Sequence, residues 1–215
     1  MNSQQRNILL IDKPKGITSF DVIRALRKKL GMIKMGHAGT LDPLATGLML
    51  VGVGEGTKEL GGLLGLPKTY EAEVLLGVKT ETGDLEGATM EETAVSEINE
   101  GEVKKVLAGM VGTLLLPVPK YSAVKRGGEP LYKKARRGEH VEVPIKEMAV
   151  YSLKLLTHAP FDNKYVLGIE LEVGSGVYVR SIAEEIGRRL GVPATIKELR
   201  RTKIGKYCVE DAEKI

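Results

Sequence analysis

The chain has 215 residues, 42% of them hydrophobic, and a formal net charge of only +4 at pH 7, which suits one large domain, or one domain of two lobes, with its own core. Its single cysteine and three scattered histidines exclude an intrachain disulfide and give no metal-ligand spacing, so we expect a reducing compartment and no metal site. No apolar run reaches the roughly 20 residues of a membrane span and no signal-peptide pattern begins the chain, so we expect a cytoplasmic protein.

The chain is predicted to begin with a strand and a helix. An apolar run over residues 7–11 indicates the strand, and Lys13-Pro14-Lys15-Gly16 indicates a turn. Thr18 and Ser19 can each cap a helix that ends at Gly31. The apolar residues of this helix recur at helical spacing and are Phe20, Val22, Ile23, Leu26 and Leu30.

The next segment holds one carboxylate between glycines and a proline. Its sequence is Gly36-His37-Ala38-Gly39-Thr40-Leu41-Asp42-Pro43-Leu44-Ala45-Thr46-Gly47. Glycine bends freely and proline fixes φ, so Asp42 is predicted to lie on a tightly shaped turn. Asp42 followed by Pro43 is also typical of a helix start, and a capping turn of that kind can still present a reactive carboxylate.

The following stretch is predicted to be strand-rich and does not bind nucleotides. Residues 48–53 indicate a buried strand, and the glycines that follow lack the spacing of a dinucleotide or phosphate-binding loop. Residues 57–66 give only a weak helix signal because of their glycines. Residues 68–78 alternate, which predicts a half-buried strand with Tyr70 in its core-facing row. An ordinary core tyrosine is the alternative interpretation of Tyr70.

The second half continues with alternating elements. Residues 90–100 are acidic and indicate a loop, and a helix is predicted from about Glu102 to Met110. Strands are predicted at 150–156 and 165–173. A last helix opens near Gly174 and ends at Gly191. Arg180 lies in its first turn, where the helix dipole favours anions, so Arg180 is expected to have another role.

Charge is distributed unevenly along the chain. Residues 1–36 carry eight basic and two acidic side chains, residues 120–137 seven and one, and residues 178–206 eight and three. Residues 81–102 carry eight acidic side chains and no basic ones. This pattern indicates a positive face for a polyanion, although solvated helix faces would explain any single segment. The region 126–144 is rich in Gly, Lys and Arg and also contains Tyr132. Basic side chains together with an aromatic ring are suited to phosphate contacts and to stacking on an unpaired base.

Several motifs together resemble one family. The segment 36–47 resembles the catalytic motif of the TruB-type tRNA pseudouridine synthases, enzymes that convert a T-loop uridine of tRNA to pseudouridine. The segments 12–19 and 77–87 are similar to two further family motifs, Pro117 to Lys125 resembles P-x-Y-S-A-x-K, and residues 199–205 resemble the last core motif. The resemblance extends from about Asn7 to Tyr207.

The resemblance implies an α+β fold with a mixed, mainly antiparallel central sheet, flanked by helices and containing a central RNA-binding cleft. It implies one catalytic domain over residues 1–215, with a basic RNA-binding insertion at about 120–145. The motif that contains Lys13 is expected to pack under the active-site loop, and Lys13 to be structural. Family members commonly continue into a C-terminal PUA domain, whereas this chain stops at Ile215, so no PUA domain is expected.

The resemblance also implies roles for individual residues. The expected catalytic residues are Asp42, Tyr70, Arg180 and Asp84, and the expected substrate-binding residues are His37, Tyr178, Leu199, Tyr121 and Lys125. Asp42 would act as nucleophile at C1′ or C6, or as base at C2′, kept ionised by Arg180, which Asp84 would steady. Considered alone, His37 could be a polar surface residue and Asp84 a turn former.

The function implied is isomerisation of a tRNA uridine, expected to be U55 of the T-loop, on a flipped-out nucleotide. Breaking and remaking a glycosidic bond needs no redox change, so no cofactor is expected. The expected partner is tRNA, with no membrane and no obligatory protein partner. Two alternatives stay open: a guide-RNA-dependent pseudouridine synthase, which would need partner proteins and a PUA domain, and a non-catalytic chaperone that folds tRNA.

Overall fold

The computed structural model describes residues 7–215; residues 1–6, which belong to the predicted basic segment 1–36 and to the predicted domain 1–215, lie outside the described residues. In chain order the elements are β1 (Ile8–Lys13), α1 (Ser19–Leu30), β2 (Met35–His37), β3 (Thr46–Val53), α2 (Leu60–Leu64), β4 (Lys68–Leu76), β5 (Val78–Thr80), β6 (Thr89–Glu92), α3 (Glu100–Ala108), β7 (Gly112–Pro117), β8 (Lys125–Arg126), β9 (Glu129–Pro130), α4 (Leu131–Arg136), β10 (Ile145–Phe161), β11 (Lys164–Val173), α5 (Val179–Leu190), β12 (Ala194–Ile204), β13 (Tyr207–Cys208) and β14 (Glu213–Lys214). Short 3-10 helices lie at Gly54–Lys58 and Val209–Asp211.

The chain divides into two compact units. Among the described residues, unit 1 comprises 7–71 and 198–215, and unit 2 comprises 72–197. The strands β4 and β12 each contain a unit boundary.

Unit 1 is built on a mixed sheet. Strand β1 pairs antiparallel with β3 along its whole length, and β14 adds to β1 in parallel. On the other side of β3, β2 pairs antiparallel and the second half of β12 pairs in parallel. The buried apolar side chains of β3 explain why this strand is central. Two of them, Leu48 and Leu50, pack in a core cluster with Ala38, Ile204 and Val209.

The predicted start and end of helix α1 are confirmed. Thr18 is the N-cap, and its hydroxyl accepts a hydrogen bond from the Asp21 backbone N–H while the Asp21 carboxylate accepts one from the Thr18 N–H. Gly31 follows the helix in a positive-φ conformation. Two members of the predicted apolar face are exposed, since Phe20 keeps 55% of its surface accessible and Leu30 44%. Phe20 lies to one side of the buried stripe of the helix and contacts the Arg24 guanidinium instead.

Gly47 lies where β3 and β12 approach most closely. It pairs with Arg201 in the parallel ladder and has φ of 104°. A Cβ atom at this position would lie 2.3 Å from the Arg201 carbonyl oxygen. Only glycine fits there, because the backbone conformation and the neighbouring strand both exclude a side chain.

Replacing Gly47 with alanine is expected to lower the free energy of unfolding by about 3 kcal/mol or more, since backbone strain and overpacking add. Urea denaturation would measure the loss. The matched control is Gly31→Ala, where φ is 94° and a Cβ would meet nothing within 4 Å. Only the strain is present there, so the loss should be about 1 kcal/mol. Equal losses at the two sites would contradict the close approach of β3 and β12.

Unit 2 combines antiparallel strands with helices. The long strand β10 pairs antiparallel with β11 on one side and with β7 on the other. Helix α3 contacts β10 and α5, and α5 also contacts β7, so helices cover this sheet. Helix α5 ends at Gly191 in the left-handed conformation, as predicted. Its buried residues include Ile182, Ala183 and Ile186.

Three sequence predictions in unit 2 needed correction. Residues 90–100 are not all loop, because β6 pairs with β5 in a hairpin, and the four residues of β6 are exposed and carry no apolar alternation that would predict a strand. Helix α3 begins at Glu100 rather than Glu102, since Asn99 caps it by accepting the Glu102 N–H. The strand predicted over 68–78 ends at Leu76, because Gly77 has φ of 95° and bends the chain.

The basic insertion predicted at 120–145 forms a hairpin and a short helix. Strands β8 and β9 pair, and α4 follows directly. A small apolar cluster holds the insertion together, with Val118, Leu131, Ala135 and Val141 as its buried members. The α+β fold with mixed, mainly antiparallel sheet and flanking helices is therefore confirmed.

Within residues 7–215, no helix has the length and apolar content to cross a membrane.

Candidate active site

Asp42 lies on a turn in unit 1 and not at a helix start. Its carbonyl accepts a hydrogen bond from the Ala45 N–H at 3.1 Å, and the chain enters β3 at Thr46. The helix-start interpretation of Asp42-Pro43 is therefore wrong. The turn leaves Asp42 half-buried. In this position a carboxylate can be partly shielded from water and still be reached by a ligand.

The backbone on both sides of Asp42 is held by side chains from the preceding motif. The Ser19 hydroxyl accepts the Leu41 N–H at 2.9 Å and contacts the Leu41 carbonyl at 3.0 Å. The Lys13 ammonium donates to the Pro43 carbonyl at 3.2 Å. Lys13 is fully buried and also donates to the carbonyls of Pro14 and Ile17. Hydrogen bonds from a charged group contribute about 1.5–3 kcal/mol each, so the predicted structural role of Lys13 is confirmed.

Arg201 holds the same segment from the other side, which the sequence analysis did not predict. Its side chain is among the largest that are fully buried. Its Nε donates to the Leu48 carbonyl at 2.7 Å and its Nη2 to the Gly39 carbonyl at 3.1 Å. Those carbonyls lie before and after Asp42 in sequence. Arg201 and Lys13 therefore fix both ends of the segment that carries the carboxylate.

His37 and Lys68 lie in the electrostatic field of Arg201. Burial, and secondly the charge of Arg201, lower the pKa of His37. The Nδ1 atom of His37 is buried and has no hydrogen-bond partner among residues 7–215. Burial and Arg201 likewise lower the pKa of Lys68 to about 8. The environment thus favours a neutral imidazole beside the Asp42 segment.

The lowered pKa of Lys68 gives a pH dependence that can be measured. Lys68 donates to the carbonyls of Leu64 and Leu66, and a neutral amine keeps two donors for them. Above pH 8 the folded state releases the proton, whereas the unfolded state holds it up to about 10.5. Stability should therefore rise between pH 8 and 10.5.

Between pH 7.5 and 9.5 we expect the wild type to gain on the order of 1 kcal/mol relative to Lys68→Met. Denaturant unfolding of both proteins at the two pH values would measure this difference. Parallel changes in the two proteins would show that Lys68 titrates normally.

Tyr70 and Leu199 occupy neighbouring elements of unit 1. Tyr70 is 8% exposed in β4, and Leu199 is 7% exposed in β12. The residue after Leu199 is Arg200, whose guanidinium binds both carboxylate oxygens of Asp12 at 3.0 and 2.9 Å. This bidentate pair fixes β12 next to Leu199. The burial of Tyr70 is compatible with both interpretations, a core tyrosine and a residue that contacts substrate.

Arg180 is buried in the first turn of α5 in unit 2. Its Nη1 donates to the Thr82 carbonyl at 2.8 Å and its Nη2 to the Tyr121 carbonyl at 3.0 Å. The nearest Asp84 oxygen lies 3.9 Å from its Nε, and both side chains are 6% exposed. The two carbonyls therefore orient the guanidinium, and Asp84 contributes charge rather than a hydrogen bond.

Asp84 also shapes its own turn. Its Oδ1 accepts hydrogen bonds from the Thr82 hydroxyl at 2.5 Å and from the Glu86 N–H at 3.1 Å. Asp84 is therefore a turn former and also lies within ion-pair distance of Arg180, whereas its part in holding a catalytic arginine stays a prediction. A second carboxylate that the sequence analysis missed is Glu184, one turn after Arg180; burial raises its pKa against the opposing charges of Lys79 and Arg180. Only its i+4 spacing from Arg180 could have signalled it.

The remaining predicted substrate-binding residues lie in or near the insertion. Tyr121 and Tyr178 both pack against the apolar cluster of the insertion. Burial and a hydrogen bond with Glu81 raise the pKa of Tyr121. Lys125 is exposed in β8. Over residues 7–215, no group of three or more His, Cys, Asp and Glu side chains could hold a metal ion.

Comparison with known proteins identifies two family matches. The model described as TruB family pseudouridylate synthase, N-terminal domain, matches residues 27–179. The model described as tRNA pseudouridylate synthase B C-terminal domain matches residues 180–215.

Curated relatives match nearly the whole chain. A tRNA pseudouridine synthase B from Xanthomonas axonopodis pv. citri is 46% identical over 195 residues, covering 90% of this chain and 62% of the relative. One from Aquifex aeolicus is 43% identical over 204 residues, covering 95% and 70%. The chain thus spans about two thirds of the length of these relatives.

Solved structures with the same fold include a protein complex and a ribonucleoprotein. A Cbf5-Nop10-Gar1 complex matches with a TM-score of 0.71 and 27% identity, over 97% of this chain and 52% of that chain. An H/ACA RNP bound to a substrate RNA containing 2'-deoxyuridine matches with a TM-score of 0.70 and 25% identity, over 96% and 50%.

Proposed function

This chain belongs to the TruB family of pseudouridylate synthases, and we propose from that premise that it isomerises a uridine of tRNA to pseudouridine. The proposed target is U55 of the T-loop. Support comes from relatives at 42–46% identity that carry the name tRNA pseudouridine synthase B. The positive segments of the chain supply the charge that binding to a polyanion requires.

The observation that carries the proposal is the rigid support of the Asp42 turn. Two buried cations and one hydroxyl hold the backbone around this carboxylate. Burying the two cations that give this support is unfavourable, because each loses its hydration. Rigid support of this kind is useful where a reactive group must keep one position. Asp42 is proposed to be the group that attacks C1′ or C6 of the target nucleotide, or removes the C2′ proton.

Arg180 is proposed to keep Asp42 ionised during the reaction. A nucleophile or base must be deprotonated, and a guanidinium favours that state. Its hydrogen bonds to the Thr82 and Tyr121 carbonyls orient the guanidinium. Asp84 adds a compensating charge that lowers the cost of burying Arg180.

The proposed mechanism requires the uridine to leave its stack. Extrusion costs a few kcal/mol. We assign one face of the base to Tyr70 and the other to Leu199, and further substrate contacts to Tyr178, Tyr121 and Lys125. His37 is proposed to support the place that the uridine vacates, and its environment favours the neutral imidazole there.

Isomerisation exchanges a C–N for a C–C glycosidic bond, with no net oxidation, so this proposal includes no cofactor and no obligatory protein partner. A cytoplasmic location is part of it, supported by the single cysteine. The second candidate is a guide-dependent synthase, favoured by the likeness to an H/ACA RNP bound to a substrate RNA. A non-catalytic tRNA chaperone is the third, and it would bind tRNA without changing it.

Tritium release tests the proposal. The new bond forms at C5 of uracil, so the hydrogen at C5 must leave. Purified protein is incubated with an unmodified tRNA transcript that contains [5-³H]uridine, in the absence of guide RNA and other proteins. Release approaching one tritium per tRNA supports the proposal. Tritium release only after a guide RNA and partner proteins are added would favour the second candidate. No tritium release under either condition would favour the non-catalytic chaperone.

A further inference from the structure

The residue that follows Arg180 holds the same stretch of backbone as Arg180 does. Ser181 lies in the first turn of α5 and is 4% exposed, and its hydroxyl donates a hydrogen bond to the Pro117 carbonyl at 2.7 Å. Arg180 donates through Nη2 to the Tyr121 carbonyl at 3.0 Å. Two consecutive residues of one helix therefore hold the two ends of the segment 117–121, which connects β7 to the insertion.

The segment 117–121 has few backbone donors of its own. Its residues Pro117 and Pro119 lack an N–H and cannot donate a backbone hydrogen bond. The Val118 N–H donates to the Pro144 carbonyl at 3.0 Å, and this bond joins the two ends of the insertion to each other. Hydrogen bonds between the segment and α5 therefore come from side-chain donors of the helix, and these donors set where the two carbonyls lie.

The orientation of the Arg180 guanidinium depends on two acceptors that must both stay in place. One acceptor is the Thr82 carbonyl, in a turn that Asp84 stabilises by accepting the Thr82 hydroxyl. The other is the Tyr121 carbonyl, four residues along the chain from the carbonyl that Ser181 holds. Ser181 thus acts on the guanidinium through the second of its acceptors, by a short stretch of backbone that begins and ends at the same helix turn.

We propose that Ser181 is a positioning residue for the isomerisation, because its hold on the Pro117 carbonyl keeps the Tyr121 carbonyl where it orients Arg180. The inference rests on the proposed function, in which Arg180 keeps the reacting carboxylate ionised. A displacement of about 1 Å in an enzyme site can cost about 10²-fold in rate. Loss of the Ser181 hydroxyl disturbs one of two acceptors, so the expected loss is smaller, about 10-fold.

Ser181→Ala tests the positioning role. The single-turnover rate of pseudouridine formation is measured at saturating tRNA, and the tRNA affinity is measured by fluorescence anisotropy in an Asp42→Asn background. We expect a rate about 10-fold lower. We expect little change in affinity, because the insertion keeps its apolar cluster and the bond between Val118 and Pro144. An unchanged rate would overturn the role. A loss confined to affinity would assign Ser181 to RNA binding and also overturn it.

The matched control is Ser122→Ala. Ser122 follows the same segment and is 5% exposed, and its hydroxyl oxygen is buried without a hydrogen-bond partner in the part of the chain described, residues 7–215. The substitution removes the same atom as Ser181→Ala at nearly equal burial, and it breaks no hydrogen bond there. The rate should stay near that of the wild type. Equal losses of rate in the two variants would overturn the role of the contact between Ser181 and Pro117.

The double variant Arg180→Lys/Ser181→Ala tests whether Ser181 acts through Arg180. If it does, Ser181→Ala should lower the rate of Arg180→Lys by much less than it lowers the rate of the wild type, because the oriented guanidinium is already absent. Losses that multiply would show that the Ser181 hydroxyl acts independently of Arg180, and they would overturn the proposal.

Nitrogen-15 NMR of the guanidinium groups separates this inference from the proposed function. Hydrogen bonds slow rotation of a guanidinium, and the Arg180 signal is identified by its absence in Arg180→Lys. Rotation at Arg180 should be faster in Ser181→Ala and unchanged in Ser122→Ala. This result in a protein without tritium release would support the hold of Ser181 on Arg180 and refute only the isomerase. Tritium release by the wild type, with rotation and rate unchanged in Ser181→Ala, would refute the positioning role alone.

Discussion

Replacing Asp42 with asparagine is expected to reduce the rate of pseudouridine formation by about 10⁴-fold or more, while the affinity for tRNA changes little. Loss of a group that forms or breaks bonds costs rates of that order. Asparagine has the same shape and cannot act as nucleophile or base. The turn is held through backbone atoms of its neighbours, which the substitution leaves in place. Single-turnover kinetics and a binding titration on the same preparation would measure the two effects.

The matched control for Asp42→Asn is Glu71→Gln. Glu71 is exposed in unit 1 and loses the same charge. Its rate and affinity should remain near those of the wild type. A pure Asp42→Asn protein that turns over at a comparable rate would remove Asp42 from the mechanism. Equal loss of tRNA affinity and rate would instead assign Asp42 to binding.

Replacing Arg180 with lysine is expected to lower the single-turnover rate by about 10²- to 10³-fold, in the range of losing one preorganised donor in an enzyme site. The guanidinium spans two carbonyls at once, Thr82 through Nη1 and Tyr121 through Nη2. A lysine ammonium is a point charge and cannot span both in the same geometry. The positive charge remains, so the loss isolates orientation from charge.

Arg188→Lys is the control on the same helix, because the Arg188 side chain is 71% exposed and pairs only with Glu185 among residues 7–215. It should leave the rate unchanged. If Arg180 acts through Asp42, the double variant Asp42→Asn/Arg180→Lys should be little slower than Asp42→Asn alone. A near-normal rate for Arg180→Lys, or fully additive losses, would contradict the proposed cooperation of the two residues.

The sequence correctly predicted those elements whose first and last residues are capping residues or glycines. Helix α1 starts at Thr18 and ends at Gly31 because a capping box and a glycine terminate it within the chain itself. Asp42-Pro43 shows the limit of such signals. The same residue pair is compatible with a helix start and with a turn. The turn is stabilised by contacts from Lys13 and Ser19, which lie more than twenty residues away in the chain.

The support of the candidate site could not be predicted in the same way. Arg201 is fully buried, whereas arginine is mostly exposed in proteins, and nothing local marks it as different from Arg200 beside it. The alternation of β12 and its pairing with β3 turn one arginine inward and the other toward Asp12.

Mapping the modified position most directly tests the claim that Asp42 carries a tRNA uridine isomerase. An unmodified tRNA transcript is incubated with the wild type and with Asp42→Asn, treated with carbodiimide, and read by primer extension. The expected result is one stop at the T-loop uridine with the wild type and none with Asp42→Asn. A transcript left unmodified by active, folded wild-type protein, or a stop that persists with Asp42→Asn, would contradict it.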